Sequence, residues 1–87
     1  MTNNEVKTIS VDKGPNLAAI NPNTNKIYVT IPSFNTLSVI DGITNTVIRN
    51  LTIGGSPTGI DVNPKTDLIY VANYDSSTVS VIGNGGA

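Results

Sequence analysis

The stretch Lys26-Ile-Tyr-Val-Thr-Ile31, followed by a short loop and by Thr36-Leu-Ser-Val-Ile-Asp41, returns in altered form 42 residues later. The second copy consists of Leu68-Ile-Tyr-Val-Ala-Asn73 and, after another short loop, Thr78-Val-Ser-Val-Ile82. In each copy, two runs rich in β-branched and aromatic residues flank a loop of a few residues, which is the pattern of a β-hairpin. The chain is therefore organised around two copies of one hairpin.

The repeat extends well beyond the hairpins. When residues 15–45 are aligned with residues 57–87, 11 of the 31 positions are identical. Short apolar runs at residues 17–20 and 59–62 precede the two hairpins, and residues 46–53 follow the first hairpin as a fourth run of mixed polarity. Four strand-like runs in one period are typical of a β-propeller blade, which repeats roughly every 40 to 50 residues.

The sequence thus predicts an all-β fold with two four-stranded antiparallel propeller blades in a single domain, residues 1–87. The first blade repeat spans residues 15–56 and the second spans residues 57–87. Residues 6–11 alternate loosely between apolar and polar positions and are predicted to form an outer or edge strand. Because this segment aligns with the end of the fourth run, a strand at residues 5–12 is expected to complete the second blade by strand exchange.

The hairpin strands carry apolar residues on both faces. Ile27, Val29 and Ile31 fall on one face of their strand, and Tyr28 falls on the other. A sheet that is apolar on both sides needs a cover on both sides, and stacked blades supply it. Tyr28 and Tyr70 are therefore expected to be buried between blades, with each hydroxyl hydrogen-bonded to a neighbour.

The chain resembles the YVTN family of β-propeller repeats. The family motif stands here as Tyr28-Val29-Thr30-Ile31 and Tyr70-Val71-Ala72-Asn73, preceded by Asn21-Pro22-Asn23-Thr24 and Asn63-Pro64-Lys65-Thr66. Each tetrapeptide departs once from the motif, at Ile31 and at Ala72. The resemblance implies a propeller, often of seven blades and frequently on secreted or cell-surface proteins of archaea and bacteria. It implies no single activity.

Composition excludes several classes of function. The chain has no cysteine and no histidine, which removes thiolate and imidazole ligands and the commonest general base. Five Lys and Arg against six Asp and Glu give a net charge of −1 without a basic cluster, so nucleic acid is not an expected partner. The apolar runs are strand-sized and the first residues are polar, so neither membrane insertion nor a signal peptide is expected. No cofactor and no metal is predicted.

Three residues on the hairpin loops are the candidate ligand-binding residues: Phe34, Tyr74 and Asp75. Their loops are expected to open on the same end of the blades as the turn at residues 54–56, and loops on a rigid scaffold often carry binding groups for a protein or carbohydrate partner. Alternatively, the two aromatic rings pack against neighbouring blades. Asp61 is the only ionisable residue of the inner runs, where a ring of carboxylates could hold a hard cation or could simply be solvated.

The leading prediction for function is a non-enzymatic structural or interaction module, with no catalytic residues. The alternative is a fragment of a propeller enzyme, a lactonase-like hydrolase or lyase with its site at the central axis. A third interpretation is a two-repeat piece of a longer propeller. Two blades leave two sheet faces and one strand edge uncovered, so the chain is expected to close into a homo-oligomer, a trimer or a tetramer with six or eight blades.

Overall fold

The computed structural model describes residues 6–83, which form two antiparallel sheets and no α-helix. The predicted all-β fold is confirmed. The first sheet has the strand order β1-β2-β3-β4 and the second has the order β5-β6-β7. The strands are β1 (Ala18–Asn21), β2 (Lys26–Ile31), β3 (Thr36–Asp41), β4 (Thr46–Thr52), β5 (Pro57–Asn63), β6 (Leu68–Asn73) and β7 (Thr78–Ile82), with one 3-10 helix at Pro32–Phe34. No helix among residues 6–83 has the length and apolarity that crossing a membrane requires.

Strand pairing follows the sequence repeat residue by residue. Tyr28 pairs with Val39 in the first sheet, and Tyr70 pairs with Val81 in the second. β1 and β5 keep the same register against their hairpins. The two sheets are thus two copies of one unit, because identical alternation of apolar residues fixes the same register in both.

Left-handed backbone conformations end the loops between strands. Asn25, Asn45 and Asp67 have φ angles of 57°, 59° and 59°, and each is the last residue before a strand. Asn and Asp tolerate this region better than other non-glycine residues because their short polar side chains bond locally. The sequence places these residues where the chain has to reverse.

The core lies between the two sheets. Tyr28, Leu37 and Val39 of the first sheet pack with Ile69 and Val71 of the second, and all five are buried. Leu51, Ile53, Ile60, Val62 and Ile82 surround this cluster and are partly buried. One face of each sheet is covered by this contact. On the opposite face of the first sheet, Ile31, Ser38 and Ile40 are also buried.

β1 begins at Ala18, one residue later than the sequence predicted. Leu17 is held by the side chain of Thr30 instead: the Leu17 amide donates to Thr30 Oγ1 at 3.0 Å, and that hydroxyl donates to the Leu17 carbonyl at 3.3 Å. The amide of Thr30 also donates to the Leu17 carbonyl at 2.8 Å. Thr30 is fully buried, and its hydroxyl finds its hydrogen-bond partners in the backbone of Leu17. These bonds extend the pairing of β1 toward Leu17.

Residues 6–11 form no strand in the single chain, and the expected exchange of this segment with another copy stays a prediction. These residues have no regular structure and pair with neither sheet, so the second sheet has three strands among the described residues. A strand forms only where a partner edge offers its backbone groups. β7 is one of the two edge strands of the second sheet, and no part of residues 6–83 pairs with its outer edge. The end of the predicted strand at residue 5 lies outside the described residues.

Candidate functional site

The loops that carry the candidate ligand-binding residues meet at one end of the molecule, called here the loop end (residues 32–35, 54–56 and 74–77). The Ser56 amide donates to Asn35 Oδ1 at 2.9 Å, and Ser56 Oγ donates to Asp75 Oδ2 at 2.8 Å. The Tyr74 amide donates to the Ser56 carbonyl at 3.0 Å. Ser56 therefore links the hairpin loop of the first unit to that of the second.

The two aromatic candidate residues are exposed on these linked loops. Phe34 closes the 3-10 helix and is 54% exposed, and Tyr74 is 77% exposed. Asp75 is exposed, and its carboxylate accepts the hydrogen bond from Ser56. The loop end therefore exposes two aromatic rings and a carboxylate to solvent. Residues 6–83 contain no cavity that would enclose a small molecule.

Asp61 is the remaining candidate from the sequence. It lies on β5, is exposed, and accepts a hydrogen bond from the Val62 amide at 2.9 Å. Within residues 6–83 it has no cluster of acidic residues beside it that could hold a metal ion. One carboxylate bonded to its own backbone supplies too few oxygen ligands for a cation.

A second surface, called here the open face, is formed by Tyr70, Ala72, Val79 and Val81 on the outer side of the second sheet. Tyr70, Val79 and Val81 are 38%, 61% and 56% exposed. Their equivalents in the first unit, Tyr28, Leu37 and Val39, are at most 1% exposed because the second sheet covers them. Exposed clusters of large apolar side chains are typical of interaction surfaces.

Tyr28 and Tyr70 thus differ, although the sequence predicts the same environment for both. The ring of Tyr28 is buried as predicted, but its hydroxyl has no hydrogen-bond partner, which contradicts the expected bond to a neighbour. Burial, and then the negative charge of Asp67, raise the pKa of the Tyr28 hydroxyl. Tyr70 is not buried, because no third sheet covers it within the described chain.

A cluster of hydrogen bonds joins the two units at the end opposite the loop end. It connects residues 21–25, the first polar loop, to residues 63–67, the second polar loop. Asn21 Nδ2 donates to Asp67 Oδ1 at 3.0 Å, and Asn23 Nδ2 donates to the Pro64 carbonyl and to Asp67 Oδ1. Sequence reasoning assigned these loops only turn roles. The sequence signal that could have indicated this contact is the offset of the repeat, because it places the side-chain amides of the first polar loop beside Asp67 of the second.

No model of a known protein family matches the chain. No curated protein is significantly similar to it in sequence.

Proposed function

We propose that this protein is a non-enzymatic structural and interaction module, in which two propeller blades per chain assemble with further copies into a closed propeller of the YVTN type. The observation that carries the proposal is the open face. Tyr70, Val79 and Val81 are exposed at positions where the first unit buries Tyr28, Leu37 and Val39 against a second sheet.

The outer side of the first sheet supplies the complementary surface. Ile20 is 61% exposed there and Ile27 and Val29 are half-buried, whereas Ile31 and Ile40 on the same side are already buried within the chain. The equivalents of the first three in the second unit, Val62, Ile69 and Val71, all take part in the core between the sheets. A second copy can therefore repeat, between its first unit and the open face, the contact that each chain already makes internally. Such a head-to-tail contact is heterologous and closes into a ring when the rotation between units allows.

The strand edges support the same arrangement. β7 has no partner on its outer edge within the described residues, and residues 6–11 have none either. Lys7, Ile9 and Val11 match Arg49, Leu51 and Ile53 at the 42-residue offset. The turns after both segments also match in conformation, with φ angles of 86° at Gly14 and 50° at Ser56.

Strand exchange between copies then has a definite register. Leu51 pairs with Leu37 in the first sheet. At the repeat offset this pairing becomes Ile9 of one copy opposite Val79 of the next. A paired edge no longer offers free backbone groups for aggregation. With two blades per chain and roughly four to eight blades per propeller, three or four chains close the ring.

The loop end is the surface on which we propose that the assembled module binds a protein or carbohydrate partner. Phe34 and Tyr74 are exposed there on loops tied together through Ser56. Neither histidine nor cysteine is available, and Asp61 is a single exposed carboxylate, so binding fits these residues better than catalysis.

Sedimentation velocity combined with light scattering tests the assembly. At micromolar concentration the wild-type chain should be a trimer or tetramer. Tyr70→Lys places a charge in the open face and should give a monomer, whereas Tyr74→Lys makes the same change at the loop end and should assemble normally. Deleting residues 1–13 should also dissociate the ring. A compact wild-type monomer at this concentration contradicts the proposal.

A further inference from the structure

The two polar loops have the same conformation. In the first loop the Asn23 amide donates to Asn21 Oδ1 at 3.1 Å, and in the second the Lys65 amide donates to Asn63 Oδ1 at 3.1 Å. The last residues of the loops, Asn25 and Asp67, have φ angles of 57° and 59°. Asn63 therefore presents its Nδ2 group as Asn21 does, and the backbone of Asn25 has the same left-handed conformation as that of Asp67.

Each loop has a donor side and an acceptor side. The donor side of the first loop consists of Asn21 and Asn23, and it binds the acceptor side of the second loop, Pro64 and Asp67. Asn21 is fully buried in this contact. The loops thus contribute a directional contact between units, in addition to the apolar core.

One donor side and one acceptor side are not used in this contact. Asn63 Nδ2 and the Lys65 amine stand at the donor side of the second loop. The carbonyl of Pro22 and Oδ1 of Asn25 stand at the acceptor side of the first. Pro22, Asn25 and Lys65 are all exposed. The two sides complement each other, because one provides only donors at these positions and the other provides acceptors.

We propose that the donor side of the second loop binds the acceptor side of the first loop in a second copy of this chain. Asn63 donates to Asn25 of that copy, and Lys65 donates to the carbonyl of its Pro22. This contact rests on the proposed assembly and specifies how it is oriented, since it forms only when the second unit of one copy follows the first unit of another. It continues between copies the hydrogen-bonded contact already present within each chain.

The contact between copies differs in charge from the one within the chain. Asn25 stands where Asp67 stands in the second loop, and Lys65 stands where Asn23 stands in the first. A carboxylate at position 25 would therefore lie beside the Lys65 amine of the neighbouring copy. Asn25→Asp keeps a residue that tolerates the left-handed conformation, as Asp67 does. Charge-assisted hydrogen bonds are stronger than neutral ones.

The test compares Asn25→Asp with wild type by sedimentation equilibrium at low salt and at about 1 M salt. At low salt the substitution should lower the apparent dissociation constant by about threefold to tenfold. The gain should shrink at high salt, where screening acts over about 3 Å. Lys65→Met in the Asn25→Asp background should remove it. Asn35→Asp is the matched control, because Asn35 has a φ angle of 51° and lies at the loop end, and it should leave association unchanged.

The outcomes separate this inference from the assembly itself. Tighter association of Asn25→Asp that depends on Lys65 supports the inference, even if wild type associates weakly. Assembly of wild type with no effect of Asn25→Asp, or an equal effect of Asn35→Asp, overturns the loop contact and leaves the assembly intact. Monomers in every variant overturn both.

Discussion

Replacing Tyr28 by Phe should stabilise the protein. The Tyr28 ring packs in the core with Leu37, Val39, Ile69 and Val71, and the residue is 1% exposed. Its hydroxyl is buried without a hydrogen-bond partner. The Phe variant keeps the ring and its packing contacts. It removes only the hydroxyl, which on folding gives up its hydrogen bonds to water and forms none with the protein.

The size of the gain follows from the cost of that hydroxyl. A buried polar group without a partner costs about 1–3 kcal/mol. The Tyr28→Phe change recovers this cost and leaves the volume of the ring unchanged, so we expect a gain of about 1 kcal/mol or slightly more. For a domain of this size, that corresponds to a rise in Tm of about 4–8 °C.

Urea and thermal unfolding at one fixed protein concentration measure the effect. Tyr74→Phe is the matched control, since that side chain is 77% exposed and its hydroxyl is solvated, and it should change the free energy of unfolding by less than about 0.5 kcal/mol. If Tyr28→Phe lowers stability by about 1 kcal/mol or more, the hydroxyl is hydrogen-bonded in solution and the reasoning fails.

The pH dependence gives an independent check. Burial, and secondly Asp67, hold the pKa of Tyr28 in the folded state above its ordinary value of 10.0. The folded state therefore keeps the proton longer than the unfolded state does. This contribution is complete below pH 10.0 and is lost as the pH rises from there through the folded-state pKa. Wild type should lose stability more steeply than Tyr28→Phe above this pH, and equal slopes would contradict the assignment.

Two further predictions concern packing and the loop end. Gly54→Ala should destabilise the fold by about 1–3 kcal/mol, because the new Cβ would lie 2.7 Å from Nδ2 of the buried Asn73. Gly83→Ala is the control in urea unfolding, since nothing lies within 4 Å of its Cβ, and equal effects of the two substitutions would refute this explanation. Replacing Phe34 and Tyr74 together by Ala should abolish binding in a glycan-array and protein-partner screen while the sedimentation coefficient stays that of wild type; binding retained by the double variant would move the site away from the loop end.

The sequence predicts where the candidate loop residues lie, but it does not predict how their loops contact each other. That Phe34 and Tyr74 would lie on loops at one end followed from the hairpin pattern, because successive hairpin loops of antiparallel strands fall on alternate ends. The link through Ser56 could not be predicted, because it forms only when the turn between the two units contacts both hairpin loops in the folded chain. Their role in binding stays a prediction.

The sequence alone predicts the positions and the order of the seven observed strands. Four of the predicted strands have the observed bounds, β2, β3, β6 and β7, because strand formation there depends on local alternation and on turn residues such as Asn25 and Asp67 that stop each run. The repeat also announced two equivalent units. The strand bounds are encoded within a few neighbouring residues.

Which of two equivalent surfaces is covered depends on tertiary packing. Tyr28 and Tyr70 occupy the same position in the same motif, yet one is 1% exposed and the other 38%. Residues 6–11 match part of β4 in sequence and still form no strand. Burial and strand pairing depend on what lies against a residue, and equivalent positions of the repeat next to different neighbours therefore reach different environments.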